Sequence, residues 1–79
     1  MKTIKNSAEL GAAIRAERKR LKVTQKELAM VAGTGLRFLI ELESGKPTSR
    51  VGGVFKVLQA LGIKLAIGTS ETSERATTP

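Results

Sequence analysis

The apolar residues of this chain fall into short amphipathic runs, four at helical spacing and a last one at strand spacing. In the first, Leu10, Ile14 and Leu21 share a face with Ala13 and Glu17 between them, which predicts a helix from about Ala8 to Leu21. Asn6 or Ser7 caps it, and with Asn6 as cap Glu9 stands at the third helical position. Val23 links this helix to the next. There Thr24 and Glu27 have the spacing of a capping box, in which each side chain satisfies an orphan N–H of the other residue. Leu28, Ala29 and Ala32 face inward. Gly33 ends the second helix, because a left-handed residue costs glycine least. Thr34 and Gly35 form the turn and the next cap. Leu36 to Glu43 is a third helix with Leu39 and Leu42 on its buried face, and Ser44, Gly45, Lys46 and Pro47 close it.

A fourth helix begins near Thr48 or Ser49. Val51, Val54, Phe55, Leu58 and Leu61 repeat along it at threes and fours, and Gly62 ends it. Gly52 and Gly53 sit awkwardly inside, each costing about 1 kcal/mol relative to alanine. Either another helix packs closely there or the first turn is loose. Phe38 is expected in the core between the third and fourth helices, the alternative being an exposed wedge. Ile63, Leu65 and Ile67 then alternate with Lys64 and Ala66, the period of a strand. One strand cannot satisfy its own backbone groups, and the other candidate is the short arm around Ile4. Pairing of 63–67 with its copy in a second subunit is the economical solution and gives a twofold homodimer. The alternative is an extended tail packed on its own domain. Residues 1–67 thus form one domain, and 68–79, rich in Thr, Ser and Glu without a large apolar residue, are expected to be disordered.

At 79 residues the chain is near the lower limit for an independent core, so a dimer is a natural source of further burial. The absence of Cys and His removes disulfides, an imidazole base and a typical zinc site. With no phosphate-binding loop either, the expectation is a protein without enzymatic activity, metal or cofactor. The first six residues lack the apolar stretch of a signal peptide, and no apolar run approaches a membrane span, so a cytoplasmic, nucleoid-associated location is expected. The net charge of +7, from 14 basic and 7 acidic residues, suits a polyanionic partner.

A capping box alone marks any helix start. The specificity lies in the whole string: a capped short helix, a glycine turn, and a second short helix ending in Leu-Glu-Ser-Gly-Lys. TQKELA, AGTG and FLIELESGK resemble the helix-turn-helix of the phage repressor and Cro group, the XRE family. The extension KPTSRVGGVFKVLQALGIKLAI is similar to the HipB-like antitoxins, and the likeness runs over about residues 8–67. It implies an all-α, lambda-repressor-like fold with a C-terminal strand pairing across a dimer. The fold has five helices if the segment before Pro47 or after Leu61 counts as separate, and four otherwise. The implied function is a transcriptional repressor on a palindromic operator in double-stranded DNA. More narrowly, it is an antitoxin that represses its own operon and binds a HipA-like serine/threonine kinase toxin. A stand-alone repressor, and an adaptor that docks a protein on an apolar third helix, are the other readings.

The resemblance also implies an Arg18–Glu43 ion pair of structural purpose, and phosphate contacts at Gln25, Thr34, Gly35, Lys46 and Arg50. Chemistry agrees for Gln25, at a helix N-terminus where N–H groups favour an anion. On the recognition helix Leu36, Arg37, Ile40 and Glu41 form the outward set once Leu39 and Leu42 point in. Arg37 has the planar fork that reads guanine O6 and N7, worth about 1–3 kcal/mol of discrimination. Leu36 can touch a thymine methyl. Glu41 can accept from cytosine N4, orient Arg37 or point away from phosphate. The family often carries Gln, Ser or Thr where this chain has Leu36, Phe38 and Ile40.

Overall fold

The computed structural model describes residues 3–68. It contains four helices: α1 (Ser7–Arg20), α2 (Gln25–Ala32), α3 (Leu36–Glu43) and α4 (Val51–Leu61). Each start and stop has a local cause. Asn6 caps α1 by accepting from the Glu9 N–H at 2.8 Å, while the Glu9 carboxylate reaches one residue further back, to the N–H of Lys5 at 2.7 Å. Thr24 and Glu27 make both bonds of the capping box, 3.0 and 2.9 Å. Gly33 and Gly62 end α2 and α4 in the left-handed region, at φ 76° and 73°.

Ile14, Leu28, Ala29, Leu39, Leu42, Val57, Leu58 and Leu61 form one buried cluster to which every helix contributes. Two faces differ from the sequence-based expectation. On α1 the buried residues are Gly11, Ile14 and Arg18; Leu10 is half-buried and Leu21 is exposed. The reason is the close approach of α3. A Cβ on Gly11 would lie 2.7 Å from the Glu43 carbonyl oxygen and would also collide with that of Leu42. The glycine lets the two backbones meet, and this sets the rotation of α1.

On α4 the stripe is rotated as well. Val57, Leu58 and Leu61 are buried and Val54 is half-buried, whereas Val51 and Phe55 are exposed. Val57, fully buried in the common core, lies outside the expected stripe. The Gly52–Gly53 question has a divided answer. A Cβ on Gly53 would lie 2.5 Å from Cζ of Phe38, so α3 packs closely there, while a Cβ on Gly52 would meet nothing within 4 Å. Phe38 is half-buried against the core.

There is no strand among the described residues. Ile63 still packs on the core and donates its N–H to Leu58, and 63–68 then leave α4 without a ladder, since a strand's backbone groups need a partner that one chain does not supply. Leu65 and Ile67 are exposed at 61% and 92%. Ile4, in the N-terminal arm, is exposed too. The tail expected to be disordered lies, apart from Gly68, outside the described residues.

Candidate nucleic-acid interface

The helix-turn-helix is built by α2, the turn at 33–35 and α3. Leu28 and Ala29 on α2 and Leu39 and Leu42 on α3 are buried, which fixes α3 by one face and leaves the other outside. On that outer face Leu36 is 42% exposed and Ile40 44%. The side chain of Arg37 is 91% exposed, free to move apart from a long 3.5 Å contact between its Nε and Glu41 Oε2. Glu41 also receives Nζ of Lys46 at 3.1 Å. Hydrogen bonding from Lys46, then from Arg37, holds the Glu41 carboxyl below the usual carboxylate range. Leu36, Arg37, Ile40, Glu41 and Lys46 therefore share one side of the molecule, an apolar stripe flanked by two cations bridged by one acid.

The far end of α3 is gripped from behind. Arg18 reaches from α1 and donates from Nε to Glu43 Oε2 at 2.7 Å and from its terminal nitrogen to Oε1 at 3.0 Å. A third bond goes to the carbonyl of Val23 at 2.9 Å. The two side chains are 10% and 3% exposed. A forked, fully bonded pair is the form in which buried charge is tolerated. Its hydrogen bond to Glu43 raises the pKa of Arg18 further. Gln25 joins the cluster, donating from Nε2 to Glu43 Oε1 at 3.1 Å. The side chain assigned by resemblance to phosphate is thus turned inward, onto Glu43.

Thr34 and Gly35 lie on a cleft of about 350 Å3 between the turn and the start of α4, shared with Phe38, Arg50, Gly52, Gly53 and Lys56. Gly35 is the N-cap of α3 and Arg50 that of α4, and neither start has a side-chain capping bond. The buried hydroxyl of Thr34 has no partner among the described residues. Two uncapped helix starts and two cations border one concavity, a setting that favours an anion. Arg50 is brought beside the turn residues, whereas Lys46 sits with Glu41. Of 63–67, Leu65 lines a second, largely apolar groove with Leu10, Lys46, Pro47, Val51 and Phe55, so Lys46 borders both this groove and the Glu41 side.

Gly11 and Lys56 were not singled out from the sequence. A clue to Gly11 existed, since a glycine inside a helix costs about 1 kcal/mol and invites a packing explanation. Lys56 stands one turn after Gly52 and borders the same cleft.

No helix among the described residues is long and apolar enough to cross a membrane. The Helix-turn-helix family model HTH_3 matches residues 14–67. An uncharacterized HTH-type transcriptional regulator, y4mF, of Sinorhizobium fredii (strain NBRC 101917 / NGR234) is 52% identical over 66 residues, which span 84% of this chain and 87% of that protein. Among solved structures, HipB in a HipB-O4 20mer complex superposes with a TM-score of 0.82 at 22% identity, over 90% of this chain and 100% of that one. A chain of the HipA-HipB-O2-O3 complex gives 0.83 at 22% identity over the same shares. At that identity the likeness is one of fold. The family match, over most of the chain, fits the geometry of α2 and α3, and the protein belongs to the Helix-turn-helix family HTH_3, the XRE-type transcriptional regulators.

Proposed function

We propose that this protein is a repressor that binds a palindromic operator as a homodimer, with α3 in the major groove. The observation that carries this reading is the outer face of α3: Arg37, 91% exposed and on the recognition helix, is free to donate its fork to a base edge. Leu36 and Ile40 beside it offer apolar contact to thymine methyl groups. Glu41 lines the same face. Phosphate contacts fall to the N-terminal backbone of α2 at Gln25, to Thr34, Gly35 and Arg50 at the cleft, and to Lys46. The net charge of +7 supplies the long-range attraction.

The dimer forms through 63–67, where Leu65 and Ile67 are exposed and the backbone beyond Ile63 has no hydrogen bond among the described residues, which invites a copy of the same segment. It spaces the two recognition helices by about 34–36 Å, one turn of DNA. HipB, similar in fold, is found with HipA in the HipA-HipB-O2-O3 complex. The corresponding reading here is an antitoxin that represses its own operon and binds a HipA-like kinase. The exposed Met30 and Val31 on α2, at 73% and 71%, favour a protein partner as a second activity of the same chain.

The test is fluorescence anisotropy with a labelled duplex from directly upstream of the gene, against a scrambled duplex, at low and physiological salt. Tight binding that prefers the native duplex at physiological salt supports the operator reading. Equal, weak and steeply salt-dependent binding to both would reduce it to charge alone.

A further inference from the structure

We propose that Glu41 is a charge filter on the DNA-facing side: it restrains Lys46 and Arg37 so that phosphate alone is a poor ligand and the correct base sequence is needed to release them. The inference rests on the operator reading above and adds a role in specificity. Its ground is geometric. Glu41 Oε1 accepts from Lys46 Nζ at 3.1 Å, and Oε2 faces Arg37 Nε at 3.5 Å. The other carboxylate of α3, Glu43, is buried and held by Arg18. Glu41 is therefore the acid that α3 turns toward the proposed DNA side, and it stands between two of the cations there.

Any duplex offers Lys46 a phosphate. To take it, the ammonium must leave Glu41, and the freed carboxylate then stands near a polyanion, which is a like-charge penalty. A random sequence gives nothing in return. An operator holds Arg37 on a guanine edge within reach of Glu41, so the freed carboxylate keeps a cation beside it and the penalty shrinks there. The depressed Glu41 pKa, caused first by Lys46 and then by Arg37, agrees with an acid that stays ionised and paired in the free protein. The filter works as a penalty on wrong sites and leaves the intrinsic strength of the right contacts unchanged.

The test compares wild type with Glu41→Gln, using the labelled upstream duplex and its scrambled counterpart across a salt series. Helical circular dichroism and its melting curve check that the variant is folded. Glu41→Gln is expected to tighten binding to the scrambled duplex about threefold to tenfold and to the upstream duplex less, shrinking the ratio between them. The salt dependence should steepen by about one phosphate's worth as Lys46 becomes available. Glu41→Asp, whose shorter reach weakens the bridges but keeps the charge, should fall between. Lost affinity for the upstream duplex alone would make Glu41 a base reader and overturn the proposal. An equal gain on both duplexes would overturn it too, since charge without discrimination is no filter. If wild type binds both duplexes alike, the operator reading fails and the filter fails with it. If wild type prefers the upstream duplex and Glu41→Gln leaves that ratio unchanged, this inference alone fails.

Discussion

The carbonyl oxygen of Glu43 lies where a side chain on Gly11 would begin, 2.7 Å from a Cβ built there. Seven residues along the same face of α1, Arg18 holds the Glu43 carboxylate. One end of the recognition helix is thus gripped by its backbone and by its side chain from a single neighbouring helix. Gly11→Ala should push α1 away from α3, and the obstacle is backbone that cannot rotate aside. We expect a loss of about 1–3 kcal/mol, although alanine is the better helix former. Urea unfolding followed by circular dichroism measures it, the chain having no Trp or Tyr for fluorescence.

Arg18→Met leaves a buried carboxylate with only Gln25 for company. The expected cost is about 3–5 kcal/mol, a large part of the stability of so small a domain. Adding Glu43→Leu to it should recover most of that loss, because the desolvated charge goes with its partner. A double variant no more stable than Arg18→Met alone would count against the pair as the cause.

The two glycines at the start of α4 should respond in opposite ways. Gly53→Ala drives a methyl into the ring of Phe38 and should destabilise by about 1–3 kcal/mol. Gly52→Ala meets open space and should be neutral or stabilising by up to about 1 kcal/mol. Melting temperatures of the two variants, measured side by side, check the sign of each.

The capping box of α2 should be sensitive to acid. The Thr24 N–H, then the Thr24 hydroxyl, lower the Glu27 pKa. A depressed folded-state value means that the contribution is present above the ordinary glutamate pKa and lost as pH falls through the folded one. Wild type should therefore be more stable than Glu27→Gln near neutrality, and the melting curves should converge as the carboxyl protonates.

On DNA, Arg37→Ala should cost about 1–3 kcal/mol and relax preference at one base position. Lys46→Ala should weaken binding to the operator and flatten its salt dependence by about one phosphate, with a smaller change on other sequences, where Glu41 keeps the ammonium from phosphate. Selective loss at one base with the lysine variant would reverse the two assignments. Ile67→Asp, outside both, should leave the fold intact and shift sedimentation toward the monomer if 63–67 is the dimer contact.

What the sequence determined by itself was local. Thr24 with Glu27, Gly33, Gly35 and Gly62 mark where helices begin and end, because capping and left-handed turns depend on residues a few positions apart. The span and buried pair of α3 follow from Leu39 and Leu42, and its outward set follows with them. Periodicity could not choose between neighbouring faces where apolar residues are plentiful. It put Leu10 and Leu21 with Ile14 on the buried face of α1, and Phe55 in place of Val57 on α4. Tertiary packing decided both, through the contact at Gly11 and the burial of Val57 in the common core. The inward turn of Gln25 onto Glu43, the meeting of Arg50 with Thr34 and Gly35, and the bridge from Lys46 through Glu41 toward Arg37 were likewise decided there. These are distances between side chains on different elements or across a loop. No spacing along the chain encodes them until the core has set how the helices cross.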